Sequence, residues 1–145
     1  MTGYVIDASV AVKWFVAEEH SDRAAAILRD RITRISPELV FAEVGNALWA
    51  MCRRGNFSKD DYAAAMNVLK AVPLGVPVPT SSLIGAAARL ALDLDHPVYD
   101  CIYLALALQE GYPVLTADRR FHDAVKRHPY LADRIMHIGD LTSGL

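Results

Sequence analysis

The sequence has few cysteines and no long hydrophobic run, and each absence excludes classes of protein. Its 145 residues include only Cys52 and Cys101, which form no CxxC motif and no Cys/His spacing. The pattern indicates neither a metal site nor a redox role, and in a reducing compartment we expect two small, buried thiols. The longest apolar run, residues 101–108, is too short to cross a bilayer, and Asp7 interrupts the apolar core that a signal peptide needs. We therefore expect a cytoplasmic protein with no membrane segment.

Motifs for nucleotide binding and zinc hydrolysis are also missing. The chain contains no GxGxxG or GxxxxGK[ST] sequence, which argues against Rossmann and P-loop domains, and no HExxH sequence. The five histidines are scattered, and we expect each to be a surface residue or an ordinary hydrogen-bonded one. No Gly/Ser tract, charge block or low-complexity segment marks a second domain. The length therefore predicts one domain over residues 1–145.

Helical and β-rich segments alternate along the chain. Alanine-rich stretches with apolar residues at helical spacing indicate that helix dominates. Residues 72–80, with three of the seven prolines, are predicted to be a loop that carries an edge strand. The alternation predicts βαβ units and an α/β fold with a mainly parallel sheet that is covered on both faces. Strands are predicted at 4–6, 33–35, 76–78, 113–116 and 134–138, and helices from Ser21, Pro37, Ser58, Ser81 or Ser82, Tyr99 and Asp118.

Two aspartates occur where a buried strand should end and a helix begin. Asp7 follows the run 4–6, and Asp118 follows the run 113–117. If both strands are parallel members of one sheet, both carboxylates emerge at the carboxyl edge, where open α/β sheets bind ligands. The alternative for each is an ordinary structural role, the capping of the following helix.

Two further acids lie in apolar helical segments. Asp100 falls in the first turn of a helix whose next eight residues are apolar apart from the Tyr103 hydroxyl, so its amino end should be enclosed. The helix dipole alone could explain an acid there. Glu43 and Asn46 are the only polar residues between positions 39 and 52, so we expect that helix to be buried on its other faces. An ionised carboxylate there needs a cation or hydrogen-bond donors, and a salt bridge to one arginine is the simplest alternative.

Taken together, these acids indicate one shared acidic pocket. Clustered carboxylates repel one another, so some of their pKa values should rise unless the pocket holds a divalent cation. Hard oxygen ligands without a supporting histidine or cysteine pattern favour Mg²⁺ or Mn²⁺ over Zn²⁺.

The four acids lie in four segments: residues 5–15 (VIDASVAVKWF), 37–49 (PELVFAEVGNALW), 96–107 (HPVYDCIYLALA) and 114–121 (VLTADRRF). These segments resemble the motifs of the PIN-domain family, and more narrowly those of VapC-type toxins of bacterial toxin–antitoxin pairs. They occur in the family's order, and the resemblance covers essentially the whole chain. The resemblance implies a three-layer α/β/α PIN-like domain that binds Mg²⁺ and cuts single-stranded or looped RNA. It also implies a homodimer that is silenced by a cognate VapB-type antitoxin.

The resemblance carries over to individual residues. The family's catalytic, metal-binding acids are matched by Asp7, Glu43, Asp100 and Asp118, of which Asp7 and Asp100 are the principal metal contacts. Its supporting polar positions are matched by Ser9, Asn46 and Thr116. The formal net charge of −2 argues against RNA binding, but setting the four acids aside leaves a small basic excess. Candidate phosphate contacts, each of which a solvated surface position would also explain, are Lys13, Arg53, Arg54, Arg119 and Arg120.

Two other functions compete with a nuclease. Asp7 after a first strand also resembles the nucleophile of haloacid-dehalogenase-like phosphatases, but those enzymes need an acid two positions later, where this chain has Ser9. A non-catalytic PIN-like interaction module is the second alternative, because the aromatic and aliphatic residues of the apolar helices would serve a binding protein equally well.

Overall fold

The first and third strands are buried on both of their faces. The structure is a computed structural model that describes residues 2–141. In it β1 (Gly3–Ile6) and β3 (Val114–Thr116) are buried at every position. Because the side chains of a strand alternate between the two faces of a sheet, helices must cover both faces. This confirms the predicted α/β fold with a covered parallel sheet.

Within residues 2–141 the chain forms four strands and seven α-helices. The other two strands are β2 (Thr33–Ile35) and β4 (Ile135–His137). Short 3₁₀ turns follow α1 at Val12–Trp14 and flank β4 at Ala132–Arg134 and Ile138–Asp140. The helices are α1 (Ala8–Ala11), α2 (Ser21–Arg29), α3 (Leu39–Arg53), α4 (Lys59–Ala71), α5 (Thr80–Leu94), α6 (Val98–Glu110) and α7 (Arg119–Lys126).

The strands form one parallel sheet in the order β2-β1-β3-β4. Ile6 at the end of β1 lies beside Leu115 of β3, so the two central strands end at the same edge. Each then enters a helix at once, β1 through Asp7 and β3 through Ala117 and Asp118. This topology brings two distant parts of the chain into contact at the edge where ligands bind in such sheets.

Helix α6 forms the centre of the core. Every residue from 101 to 107 is buried, as the uninterrupted apolar sequence predicted, and the helix packs against α5, β1 and β3. Gly111 ends it in the left-handed conformation that glycine adopts without strain. Asp100 therefore projects from the amino end of a rigid, enclosed element.

Three predictions about local structure were wrong. Residues 76–78 make no strand of the sheet and contribute one isolated bridge between Pro37 and Val78, because prolines in this segment remove backbone donors. Helix α3 is not enclosed on its other faces, since Trp49 is 49% exposed. Cys52 is only half-buried, whereas Cys101 is buried as predicted.

No helix within residues 2–141 combines the length and the apolar character needed to cross a membrane.

Candidate functional site

Asp7 is buried at the end of β1, and side chains rather than the helix backbone hold it. It occupies the N-cap position of α1, but its carboxylate accepts no hydrogen bond from the backbone amides of that helix. Instead its Oδ2 accepts from Ser9 Oγ at 2.6 Å and from Thr116 Oγ1 at 2.7 Å. The capping alternative is therefore wrong for Asp7, and the carboxylate belongs to a side-chain network.

This network ties the ends of the two central strands together. Ser9 Oγ and Thr116 Oγ1 lie 3.2 Å apart. Ser9 Oγ also accepts from the Ala117 amide at 2.9 Å, and Thr116 Oγ1 accepts from the Asp118 amide at 3.0 Å. The two hydroxyls that the sequence marked as supporting positions thus connect Asp7 with the segment that carries Asp118.

Burial dominates the electrostatics of Asp7. The pKa of this carboxyl is raised from an ordinary value of 3.8 to about 7, chiefly by removal from water and in smaller part by the charges of Asp100 and Glu43. The hydrogen bonds from Ser9 and Thr116 lower the pKa and offset part of the rise. Near neutral pH, Asp7 thus changes its charge unless a cation stabilises the ionised form.

Asp118 has a structural role as well as a place in the site. Its Oδ1 accepts from the Arg120 amide at 2.9 Å and from the Phe121 amide at 3.3 Å, and so caps α7. The capping alternative is confirmed for this residue. The hydrogen bonds of the cap occupy only one carboxylate oxygen, so the cap does not remove Asp118 from the site.

Asp100 and Glu43 approach the same space from two helices. Asp100 accepts a hydrogen bond at 2.6 Å from His96 Nε2, four residues earlier. Burial raises the pKa of Asp100, the His96 hydrogen bond lowers it, and the charge of Asp118 raises it. Burial also raises the pKa of Glu43, and the charge of Asp100 adds to the rise. Among residues 2–141 Glu43 makes no ion pair, so the salt-bridge alternative is wrong.

The four predicted acids line one cavity of about 230 Å³, which we call the acidic cavity. They reach it from the β1–α1 junction, from α3, from the start of α6 and from the β3–α7 junction. Ala8 and Ala47 form part of the wall, and their small side chains leave space between the carboxylates. The complete lining is Asp7, Ala8, Ser9, Val12, Glu43, Ala47, Asp100 and Asp118.

The chemistry of this lining suits a hydrated Mg²⁺ ion. Its charged groups are all carboxylates, and repulsion between them contributes to the raised pKa values of Asp7, Glu43 and Asp100. Within the described part of the chain, no three acidic, histidine or cysteine side chains form a preassembled ligand set. Mg²⁺ commonly keeps several waters and takes only one or two carboxylates directly. The acidic cavity therefore presents carboxylate oxygens, which Mg²⁺ takes as ligands, but no preassembled cage among the described residues.

The basic residues singled out in the sequence do not line the acidic cavity. Lys13 is paired with Glu18 at 3.2 Å, and Arg119 with Asp140 at 3.4 Å. Arg53 lies over the ring of Trp49, 5.7 Å from its centroid. Arg54 lines a separate cavity, and Arg120 is exposed beyond the Asp118 cap. Their contact with RNA stays a prediction.

Asn46 lies beside the acidic cavity rather than in it. It lines a neighbouring cavity with Tyr99, and the two cavities share Glu43 and Ala47 as a common wall. Its supporting role also stays a prediction.

Sequence reasoning missed two residues of the site. His96 bonds directly to Asp100, and the i, i+4 spacing of a histidine and an acid was the available signal. Tyr103 has a fully buried hydroxyl with no well-aligned hydrogen-bond partner among residues 2–141, although it lies near enough to Glu43 for a hydrogen bond that lowers the pKa of that carboxyl. Burial raises the pKa of Tyr103, and the charges of Asp7 and Glu43 add to the rise. Its polar role was hidden in an otherwise apolar helix.

Comparison with known proteins identifies the family. The sequence profile of the PIN domain matches residues 4–127. The chain belongs to the PIN-domain family. Within this family it is a VapC-type protein, since it is 32% identical over 117 residues to Ribonuclease VapC3 of Pyrobaculum aerophilum. That match covers 80% of this chain and 89% of the relative.

The fold of this chain is also similar to that of a protein with a solved structure. The crystal structure of PAE2754 from Pyrobaculum aerophilum superposes with a TM-score of 0.65 at 24% identity. The match covers 95% of this chain and 85% of the other, and at this identity it shows the likeness of the fold alone.

Proposed function

We propose that this PIN-domain protein is a Mg²⁺-dependent endoribonuclease and the toxin of a type II toxin–antitoxin pair. The observation that carries the proposal is the acidic cavity, where carboxylates from four separated segments meet. Membership of the PIN-domain family and similarity to a ribonuclease VapC3 support RNA as the substrate.

In the proposed site Asp7 and Asp100 hold the principal metal. Glu43 and Asp118 complete the ligand shell, hold a second ion or orient water, and Mn²⁺ could replace Mg²⁺. When bound, Mg²⁺ supplies an activated water and positive charge for the phosphate that is attacked.

The protein's own contribution is to orient these carboxylates. Ser9 and Thr116 donate to one oxygen of Asp7, which leaves the other oxygen free of these hydroxyls. The α7 amides engage one oxygen of Asp118 in the same way. Because burial raises the pKa of Asp7 to about 7, binding of a cation near neutral pH releases a proton from this site.

The proposal also assigns partners. A cavity walled by carboxylates repels RNA phosphates until a cation reduces its charge. The backbone of RNA must therefore find basic groups outside the cavity, for which Arg53, Arg54 and Arg120 are exposed candidates. We further propose a VapB-type antitoxin as the inhibitor, a homodimer as the assembly and the cytoplasm as the location.

The decisive experiment is digestion of a structured RNA by the purified protein, with Mg²⁺ or with EDTA. Cleavage should require the metal, and Asp7→Asn and Asp100→Asn should each abolish it. Asp133→Asn is the matched control, because that carboxylate is exposed and lies outside the acidic cavity. Full turnover in either site variant would contradict the assignment.

The same assay separates the alternatives. Tight RNA binding without cleavage in Mg²⁺ would instead support the non-catalytic interaction module. Hydrolysis of a phosphate monoester with RNA left intact would support the phosphatase. The position two residues after Asp7, where those enzymes have their second acid, is occupied by Ser9, which donates to Asp7.

A further inference from the structure

We propose that His96 is a positioning residue that holds the Asp100 carboxylate in the orientation needed to bind the metal. This inference rests on the proposed metal-dependent function and adds a residue that the sequence motifs did not include. The contact that carries it is the 2.6 Å hydrogen bond between His96 Nε2 and Asp100 Oδ2.

The direction of this hydrogen bond follows from the chemistry of the pair. An ionised carboxylate has no proton to give, so His96 Nε2 is the donor. The side chains are largely enclosed, at 10% exposure for His96 and 23% for Asp100. Limited contact with water makes a hydrogen bond to a charged group stronger and more directional than a surface pair. One oxygen of Asp100 is thereby fixed, and the other remains for a ligand.

The imidazole is itself held in place by three elements. The backbone amide of His96 donates to the carbonyl of Ala91 in α5 at 3.1 Å, and the next residue, Pro97, is the N-cap of α6. The ring stacks on Phe121 of α7, with centroids 5.3 Å apart and planes 17° apart. Phe121 is fully buried, so the ring rests against a rigid surface.

Through Phe121 the imidazole also connects two of the acids. The amide of Phe121 donates to Asp118, and its ring supports the histidine that donates to Asp100. His96 therefore couples the orientation of Asp100 to the start of α7, from which Asp118 enters the acidic cavity. Partners that orient a metal ligand typically contribute about 10- to 100-fold in metal affinity or activity.

Three substitutions separate the hydrogen bond from the stacking. His96→Phe keeps a flat ring against Phe121 but has no donor. His96→Gln keeps an amide nitrogen near the position of Nε2 but has no ring, and His96→Ala loses both. For each, the Mg²⁺ concentration that gives half of the maximal thermal shift is measured without RNA, and the half-maximal concentration for RNA cleavage is measured separately.

The hydrogen bond, rather than the ring, should set the metal response. Both Mg²⁺ midpoints should rise about 10- to 100-fold in His96→Phe and His96→Ala, and His96→Gln should recover most of the loss. Cleavage by His96→Phe should return towards the wild-type rate when Mg²⁺ is raised. His122→Phe is the matched control, because His122 is also a buried histidine beside an aspartate, Asp123 at 2.9 Å, but lies outside the acidic cavity. Its Mg²⁺ midpoints should not change.

The outcomes distinguish this inference from the function on which it rests. Unchanged Mg²⁺ midpoints in His96→Phe, with or without a lower melting temperature, would show a structural role and overturn the inference alone. A wild-type protein that shows neither a Mg²⁺-dependent thermal shift nor Mg²⁺-dependent cleavage would overturn both proposals.

Discussion

Removing the charge of Asp7 should stabilise the metal-free protein, and the gain should grow with pH. In the folded protein Asp7 keeps its proton up to about pH 7, whereas in the unfolded chain it loses the proton near 3.8. Between these values the folded state binds more protons, so the stability of the wild type falls as the pH rises from 3.8 towards 7. Above pH 7 the full cost of burying the charge is present. Asp7→Asn has no such charge and escapes this loss.

The size of the effect follows from the pKa. At 1.36 kcal/mol for each pKa unit, the rise from 3.8 to about 7 corresponds to about 4 kcal/mol. The hydrogen bonds that Asn makes less well with Ser9 and Thr116 offset roughly 1 kcal/mol of this at all pH values. That offset is constant and does not affect the pH dependence. At pH 5 the part of the loss between 3.8 and 5 has already occurred, so the roughly two pKa units that remain should widen the advantage of the variant by about 3 kcal/mol between pH 5 and pH 8. For a chain of this size that is roughly 8 °C in melting temperature.

Thermal unfolding in EDTA at pH 5 and pH 8 tests this reasoning. Other groups titrate in both proteins, so the difference between variant and wild type isolates Asp7. Asp133→Asn, at an exposed position, is the control, and its melting temperature should stay close to that of the wild type at both pH values. Parallel pH profiles for Asp7→Asn and the wild type would refute the argument, as would a variant that melts lower at pH 8. Mg²⁺ at about 100 times its Kd should then add about 2.7 kcal/mol to the wild type only.

Substitutions at three further positions test the roles of individual side chains. Asp118→Asn should keep the cap of α7 and the melting temperature but lose RNA cleavage, whereas Asp118→Ala should also lose about 1 kcal/mol in denaturant unfolding. Thr116→Val should lose about 1 to 3 kcal/mol because it removes one of the two donors to the buried Asp7, and Thr116→Ser should recover most of it by the same measurement. Tyr103→Phe removes a buried hydroxyl that has no well-aligned partner among residues 2–141, so its metal-free melting temperature should be no lower than that of the wild type. A clear loss of stability there would show that the hydroxyl is bonded in solution.

The position of the acids was predictable because it follows from topology. A parallel sheet places the carboxyl ends of its strands at one edge, and Asp7 and Asp118 each followed an apolar β-rich run. The continuous apolar sequence after Asp100 likewise predicted an enclosed helix, and α6 is buried from 101 to 107. The spacing of the apolar residues and the expectation of a parallel sheet were sufficient for these conclusions.

The behaviour of each carboxylate was less predictable, because it depends on neighbours across the sheet. Asp7 and Asp118 occupy equivalent junctions, yet only Asp118 caps its helix. Asp7 lies opposite the Thr116 hydroxyl, which takes the place of the helix amides as its donor. The apolar run around Glu43 led to the wrong prediction that its helix is buried on its other faces. Helix α3 buries one stripe of side chains and leaves Trp49 exposed. Composition alone does not distinguish a core helix from one with an uncovered apolar face.

The position of β3 between β1 and β4 has a consequence during protein synthesis. A growing polypeptide that ends before residue 114 contains Asp7, Glu43 and Asp100 but has no strand to place beside the free edge of β1. Contacts between the beginning and the end of a chain form late, because they close the longest loops. The three acids already made therefore lack both the Thr116 donor and the fourth acid until nearly the whole protein has left the ribosome. Completion of the acidic cavity thus depends on a strand that is made late in the synthesis of the chain.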